Sequence, residues 1–85
     1  EYTSRMALWT MVELKPECAE RYAFEFWDCG KYPAGSSEDE YQKIMALHVL
    51  AKLNSPRLEA YLERAMKSDY KWLRKNAEEL SAKYN

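Results

Sequence analysis

Residues 37–56 read SEDEYQKIMALHVLAKLNSP, and this stretch decides the fold. Ser37 is followed three residues later by Glu40. This is the spacing of a capping box, in which a hydroxyl and a carboxylate each accept a backbone N–H at the start of a helix. The pattern predicts a helix over residues 38–53 that begins at this cap.

The same helix is apolar over most of its circumference between Ile44 and Ala51. Such a helix is buried on several sides, so it is predicted to be the central helix of a bundle. Asn54 ends it. The pair Ser55-Pro56 then supplies a new cap and a proline at the first position of the next helix, where the missing N–H has no intrahelical partner to lose.

Two further helices are predicted on the N-terminal side. Thr3 or Ser4 can cap a first helix, and Pro16 ends it because proline disfavours a helical conformation in the residue before it. A second helix covers about residues 16–29, with its apolar side opposite a row of charged residues. Residues 30–37 contain both glycines and form the predicted main loop.

On the C-terminal side, apolar residues recur at helical spacing from Leu58 to Leu80. One long helix and two shorter helices both fit this pattern, and Ser68-Asp69 is a suitable cap for a break. We therefore predict an all-α bundle of four helices, or of five if that break occurs, forming one domain over residues 1–85. The predicted core consists of Trp9, Tyr22, Phe26, Trp27, Ile44, Leu47, Leu58, Tyr61 and Leu62.

The composition fits a small bundle built on aromatic side chains. Aromatic residues make up 14% of the 85 residues, and each such ring buries roughly 150 to 250 Å². The net charge of −1 gives no global attraction to nucleic acid or to anionic membranes. No run approaches the roughly 20 apolar residues that cross a bilayer, so we expect a soluble chain with no membrane partner.

Residues able to do chemistry are few. Cys18 and Cys29 fall on the second predicted helix about 16 Å apart, beyond disulfide reach, so both are expected to be reduced thiols. His48 is the only histidine and lies on an apolar face, where a histidine bonded to a neighbour is commoner than a catalytic one. Two thiols and one imidazole without a close pair do not form a structural zinc site. We expect no enzyme activity, no catalytic residue, no metal and no cofactor.

Three aromatic residues fall partly outside the predicted core: Phe24, Tyr32 and Tyr70. Exposed rings in a polar surface are typical of binding hot spots. They favour a non-catalytic protein-protein interaction domain in which these three rings contact the partner.

The basic residues of the C-terminal helix allow a second interpretation. Lys71, Arg74 and Lys75 lie on neighbouring faces with aromatic rings between them, and such mixtures grip phosphates and stack on bases. Pairing with Glu78 and Glu79 one turn later explains the same residues as a solvated helix face. The three basic residues are therefore candidate partner-binding residues, toward a protein or, as the alternative, toward nucleic acid.

A series of landmarks runs through residues 22–73. Trp27 closes the run Phe24-Glu25-Phe26-Trp27; a loop with glycines follows, then a helix carrying Met45-Ala46-Leu47, then Ser55-Pro56-Arg57-Leu58-Glu59-Ala60-Tyr61. This order resembles the WY domain of oomycete RXLR effectors, which is named for a core tryptophan and a core tyrosine. The resemblance makes Trp27 the tryptophan and Tyr61 the tyrosine, with Tyr70 as the second choice.

The resemblance implies a small helical bundle whose surface binds a host protein and suppresses plant immunity. It also implies secretion by the pathogen and action inside the host cell. No RXLR string is present, which the resemblance explains only if a leader was removed, and the loop is longer than the family pattern leads one to expect. Without the resemblance, a cytoplasmic adaptor, a subunit of a larger assembly or an inhibitor of another protein fits the same features.

Overall fold

The computed structural model describes residues 5–28, 30 and 32–84. This part of the chain forms five α-helices and contains no β-strand. In chain order they are α1 (Arg5–Leu14), α2 (Pro16–Trp27), α3 (Ser37–Lys52), α4 (Leu58–Met66) and α5 (Lys71–Tyr84). The prediction of an all-α bundle is confirmed, with five helices rather than four. The predicted first cap at Thr3 or Ser4 lies outside the described residues.

The central position of α3 is confirmed, because this helix packs against each of the other four. Its side chains fill the middle of the bundle, where none of the following is exposed to solvent: Ala46, Leu47, Val49 and Leu50.

The start of α3 differs from the prediction by one residue. The N-cap is Ser36, whose Oγ accepts the Asp39 N–H at 3.2 Å. Ser37 is the first helical residue, so the predicted box of Ser37 and Glu40 is wrong. The reason lies in tertiary structure, because the Glu40 carboxylate accepts hydrogen bonds from α5 instead.

The end of α3 is formed by a left-handed residue. Asn54 has a φ of 53°, which asparagine tolerates better than most residues. Its N–H donates to Ala51 O at 3.1 Å, and the N–H of Ser55 donates to Leu50 O at 3.0 Å, which is the Schellman pattern. Asn54 therefore closes the helix, as predicted.

The predicted proline start of the fourth helix is wrong. α4 begins at Leu58, and Pro56 lies in the turn before it. Ser55 Oγ accepts the Arg57 N–H at 3.2 Å and donates to Glu20 Oε2 at 2.6 Å. Ser55 thus links this turn to α2, because its hydroxyl binds a carboxylate from another helix.

The predicted break between the first two helices is confirmed at Pro16, with Lys15 in a non-helical conformation. α2 ends at Trp27, two residues earlier than predicted. Lys43 of α3 donates to Trp27 O at 3.1 Å, which places a cation at the negative end of the helix dipole. Gly30 follows in the left-handed region, with a φ of 61°.

The C-terminal apolar stripe forms two helices, which decides between the two alternatives that the sequence allowed. α4 ends at Met66 and α5 begins at Lys71. In the connection, Ser68 Oγ accepts the Tyr70 N–H at 3.1 Å. The break therefore falls at the predicted pair Ser68-Asp69.

Most of the predicted core is confirmed. The buried members are Phe26, Trp27, Leu47, Leu58, Tyr61 and Leu62, with Tyr22 and Ile44 packed against them at partial exposure. Trp27 meets Tyr61 edge to face, with ring centroids 5.3 Å apart and an interplanar angle of 77°. Aromatic pairs favour this geometry because the positive ring edge meets the negative ring face.

Trp9 does not belong to the core, contrary to the prediction, since 37% of its surface is exposed. α1 packs against α2 and α3 and lies at the edge of the bundle. An edge helix has one side in solvent even when its sequence is apolar almost all round. Leu14 of the same helix is 74% exposed for the same reason.

Candidate partner-binding surface

Phe24 is half-buried, in agreement with the prediction that its ring lies partly outside the core. Its ring stacks on Tyr61 with centroids 5.3 Å apart and an interplanar angle of 13°. The Arg57 guanidinium lies 5.4 Å from the Phe24 ring centroid. Rings therefore bridge α2 and α4, and Phe24 is partly buried as a structural residue.

Tyr70 is likewise half-buried, as predicted, and its hydroxyl is hydrogen-bonded within the fold. Its hydroxyl donates to Asp39 Oδ2 at 2.6 Å and accepts the Gly35 N–H at 2.6 Å. The hydrogen bond to the Asp39 carboxylate, followed by burial, raises the pKa of Tyr70 above its ordinary value near 10. Tyr32, in the loop before α3, is half-buried.

The predicted basic residues lie at the start of α5 and make local contacts. Lys71 Nζ and Lys75 Nζ lie 5.5 Å and 5.4 Å from the ring centroid of Trp72. Arg74 Nη1 donates to Ser68 O at 2.8 Å and so supports the α4–α5 connection. The two lysines therefore frame Trp72, whereas Arg74 is a structural residue.

The large exposed rings that lie together are Trp72 and Tyr41, at 54% and 46% exposure. Trp72 stands in the first turn of α5 and Tyr41 in the second turn of α3. Trp72 belongs to the apolar stripe predicted from Leu58 to Leu80, and it is also one of the rings that lie between the basic residues of this helix in the sequence. Tyr41 is not among the predicted partner-binding residues.

An open pocket lies between these two rings. It has a volume of about 360 Å³ and is lined by Ser37, Glu38, Glu40, Tyr41, Ile44 and Trp72. We call it the Trp72 pocket. Glu40 Oε2 accepts the N–H groups of Trp72 at 2.7 Å and Leu73 at 3.0 Å, so one carboxylate satisfies two N–H groups at the start of α5. This contact fixes the backbone that carries the Trp72 ring.

A second pocket of about 290 Å³ lies where α1, α3 and α5 meet. It is lined by Trp9, His48, Ala51, Lys52, Glu79, Leu80 and Lys83. We call it the Trp9 pocket. His48 Nε2 lies 2.9 Å from Asn76 Oδ1, while Asn76 Nδ2 donates to Trp72 O at 2.8 Å. That orientation of the amide makes His48 Nε2 the donor, so the predicted hydrogen bond of His48 to a neighbour is confirmed.

Among the described residues, no three His, Cys, Asp or Glu side chains converge in a metal-binding group. Cys18 is a partly buried free thiol, and Cys29 lies outside the described part of the chain. Within that part, no helix combines the length and apolar character that spanning a membrane requires.

Comparison of the chain with protein-family models, with curated proteins and with solved structures finds no match.

Proposed function

We propose that this chain is a protein-binding domain that holds its partner on the exposed rings of Trp72 and Tyr41. The observation that carries the proposal is the pairing of these rings across an open pocket, at 54% and 46% exposure. Tryptophan and tyrosine are enriched among the few interface residues that supply most of the binding energy. The contact surface is therefore aromatic, with two lysine ammonium groups beside the indole.

The fixed position of the Trp72 backbone supports this proposal. The Trp72 backbone is tied to α3 through Glu40 at 2.7 Å, and Ile44 of the central helix lines the same pocket. A ring held on a fixed backbone loses little conformational entropy when a partner covers it. A partner that covers this ring therefore loses less free energy to ordering than it would on a mobile loop.

The finer proposal is an effector of the WY type that binds a host protein inside the host cell and suppresses plant immunity. It rests on the resemblance of the aromatic landmarks. Supporting it, Trp27 at the end of α2 and Tyr61 in α4 are both buried and in direct edge-to-face contact. Both are then structural residues, and the partner contacts lie elsewhere on the surface.

A nucleic-acid module is the second candidate, and one observation favours it: two lysine ammonium groups flank an exposed indole. Rings beside basic groups stack on unpaired bases. Against it, Glu38 and Glu40 line the same pocket and would face phosphates. If this candidate is right, single-stranded RNA is retained at low salt, and its affinity falls steeply as salt rises.

The test is capture from plant cytosol with quantification by mass spectrometry. Trp72→Ala and Tyr41→Ala are expected to lower the captured amount of a specific partner by tenfold or more, about the effect of a 1.4 kcal/mol hot spot. Leu14→Ala is the control, because it removes an apolar side chain that is even more exposed, at 74%, and that does not line the pocket. Undiminished capture by folded Trp72→Ala and Tyr41→Ala proteins would exclude this surface.

The proposal that the chain is an effector directed at a plant protein has its own control. The same capture is repeated with a yeast lysate of equal protein content. A host-directed effector is expected to retain a plant protein that has no captured yeast counterpart, in a Trp72-dependent manner. Equal, Trp72-dependent capture from both lysates contradicts the effector proposal and leaves the binding domain in place.

A further inference from the structure

The Trp72 pocket and the Trp9 pocket lie on the same face of the bundle, one at each end of α3. On α3, the lining residues Tyr41, Ile44, His48 and Lys52 recur every three or four positions, which places them on one side of a helix. α5 runs in the same direction beside α3, with Trp72 at one end of this face and Lys83 at the other. We call this face the α3–α5 groove.

The two ends of the groove are a defined distance apart. Tyr41 and Lys52 are separated by eleven helical residues, which at 1.5 Å per residue is about 16 Å. Between them, the His48–Asn76 hydrogen bond of 2.9 Å joins α3 to α5 across the middle of the groove. The groove therefore offers an aromatic ring at each end and a polar bridge at the centre.

The walls of the groove restrict the backbone conformation of any segment that lies in it. Both walls are α-helices whose backbone groups are bonded within the helix, and no strand edge occurs among the described residues. A bound strand would have to leave its N–H and C=O groups without partners against such walls. A bound helix satisfies its own backbone. In a helix, residues i and i+11 lie on the same side and about 16 Å apart, which matches the groove.

The charge along the rim favours an acidic partner. Four lysines border the groove, namely Lys52, Lys71, Lys75 and Lys83, against the three glutamates Glu38, Glu40 and Glu79. Four lysines against three glutamates give the rim a net charge of +1, and this excess lies at the end that holds the Trp9 pocket.

Resting on the proposed function, we infer that the partner binds as an acidic amphipathic helix laid along the α3–α5 groove. One bulky apolar side chain enters the Trp72 pocket, and a second, ten to twelve residues away, enters the Trp9 pocket. A second copy of this chain fits less well, because a two-fold dimer through this face would bring two positively charged rims together.

The experiment is a selection of randomised 18-residue peptides displayed on phage against the full chain. Enriched peptides are expected to be net negative, to carry two apolar clusters ten to twelve positions apart, and to become helical in circular dichroism when bound. Enrichment of basic peptides, of peptides with one apolar cluster, or of peptides that stay non-helical would overturn the inference.

Variants then locate the second anchor. With a synthetic copy of an enriched peptide, Trp9→Ala is expected to weaken binding about tenfold and Lys52→Glu about threefold in fluorescence polarisation. Leu14→Ala and Lys67→Glu, exposed positions away from the groove, should leave the affinity within about twofold. Lys52→Glu keeps the test valid if Trp9→Ala perturbs folding.

The outcomes separate this inference from the proposed function. Peptides that depend on Trp72 and Tyr41 but not on Trp9 or Lys52 contradict the two-ended site and leave the proposed function standing. Peptides that depend on none of the four residues contradict both. Self-association in sedimentation velocity that Trp72→Ala abolishes shows that a second copy fills the groove, and this also overturns the inference.

Discussion

At the scale of single residues, the Tyr70 hydroxyl joins three parts of the chain. It accepts the Gly35 N–H from the loop and donates to Asp39 of α3, while its own backbone directly precedes α5. Asp39 is buried and also pairs with Lys43 at 3.2 Å. The Tyr70 hydroxyl therefore supplies a hydrogen-bond donor to the buried Asp39 carboxylate. It also holds the loop before α3, through Gly35, against the connection between α4 and α5.

Tyr70→Phe is expected to destabilise the fold by about 1 to 2 kcal/mol at neutral pH, because the Asp39 carboxylate loses a donor. The cost is measured by urea denaturation. Tyr22→Phe, which removes a hydroxyl from another half-buried ring, is the control and should cost less. Equal losses of unfolding free energy in the two variants would show that the Tyr70 hydroxyl stabilises the fold no more than the Tyr22 hydroxyl does.

Tyr70→Phe is also expected to change how the stability of the fold depends on pH. The pKa of Tyr70 is raised in the folded protein, so the folded chain holds this proton more tightly than the unfolded chain does. The contribution of this proton to folding stability is complete below the pKa of Tyr70 in the unfolded chain, near 10. It is lost as the pH rises through the higher pKa of Tyr70 in the folded chain. On the alkaline side of neutrality, the stability gap between wild type and Tyr70→Phe should therefore narrow only above about pH 10. A gap that narrows between pH 6 and 9 contradicts the assignment.

Some of these residues were predictable from sequence and others were not. Trp27 and Tyr61 lie at apolar positions of well-defined helices, so their burial follows from spacing. The stacking of Phe24 on Tyr61 could not be predicted, because residue spacing within α2 does not show which ring of α4 covers it. The exposure of Trp72 does not follow from spacing, because the apolar stripe spans the break between α4 and α5.

At the scale of elements, the start of α5 depends on a residue that is distant in sequence. Glu40 Oε2 binds the N–H groups of Trp72 and Leu73, 32 and 33 residues further along the chain. A carboxylate at this position also interacts favourably with the helix dipole. The local spacing of Ser37 and Glu40 suggested a capping box within α3, and only the tertiary contact shows which helix this carboxylate serves.

Glu40→Gln is expected to loosen the first turn of α5, at a cost of about 1 kcal/mol, because the amide keeps an acceptor but loses the charge. Amide hydrogen exchange should become faster at Trp72 and Leu73. Glu38→Gln, which neutralises an exposed carboxylate in the same pocket, is the control and should leave these amides unchanged. Unchanged exchange in Glu40→Gln would refute the tertiary cap.

At the scale of the whole molecule, fold class followed from the sequence and the binding surface did not. Apolar periodicity, prolines and caps are local signals, and they predicted the number and order of helices, with the break at Ser68-Asp69 left open. The α3–α5 groove arises from the relative placement of two helices with about twenty residues of chain between them. No local pattern contains that placement, so Tyr41 and Trp72 became visible as a pair only in the folded chain.

The aromatic core should behave as one cooperative unit, which Trp27→Ala tests. A chain of 85 residues is stable by about 4 to 13 kcal/mol, and removing a buried tryptophan costs about 3 to 5 kcal/mol. Trp27 is 7% exposed and contacts both Tyr61 and Lys43, so its loss opens a cavity between α2, α3 and α4. We expect a large drop in the urea midpoint, or an unfolded chain, by circular dichroism at 222 nm.

Trp72→Ala provides the matched control for this prediction, since it removes the same side chain from a site that is 54% exposed. Its cost should stay below about 1 kcal/mol, because little apolar surface is re-exposed and no core cavity forms. The contrast between the two tryptophans separates the residue that holds the bundle together from the residue proposed to meet a partner. If both variants melt alike, the division of the molecule into an aromatic core and an aromatic binding surface is wrong.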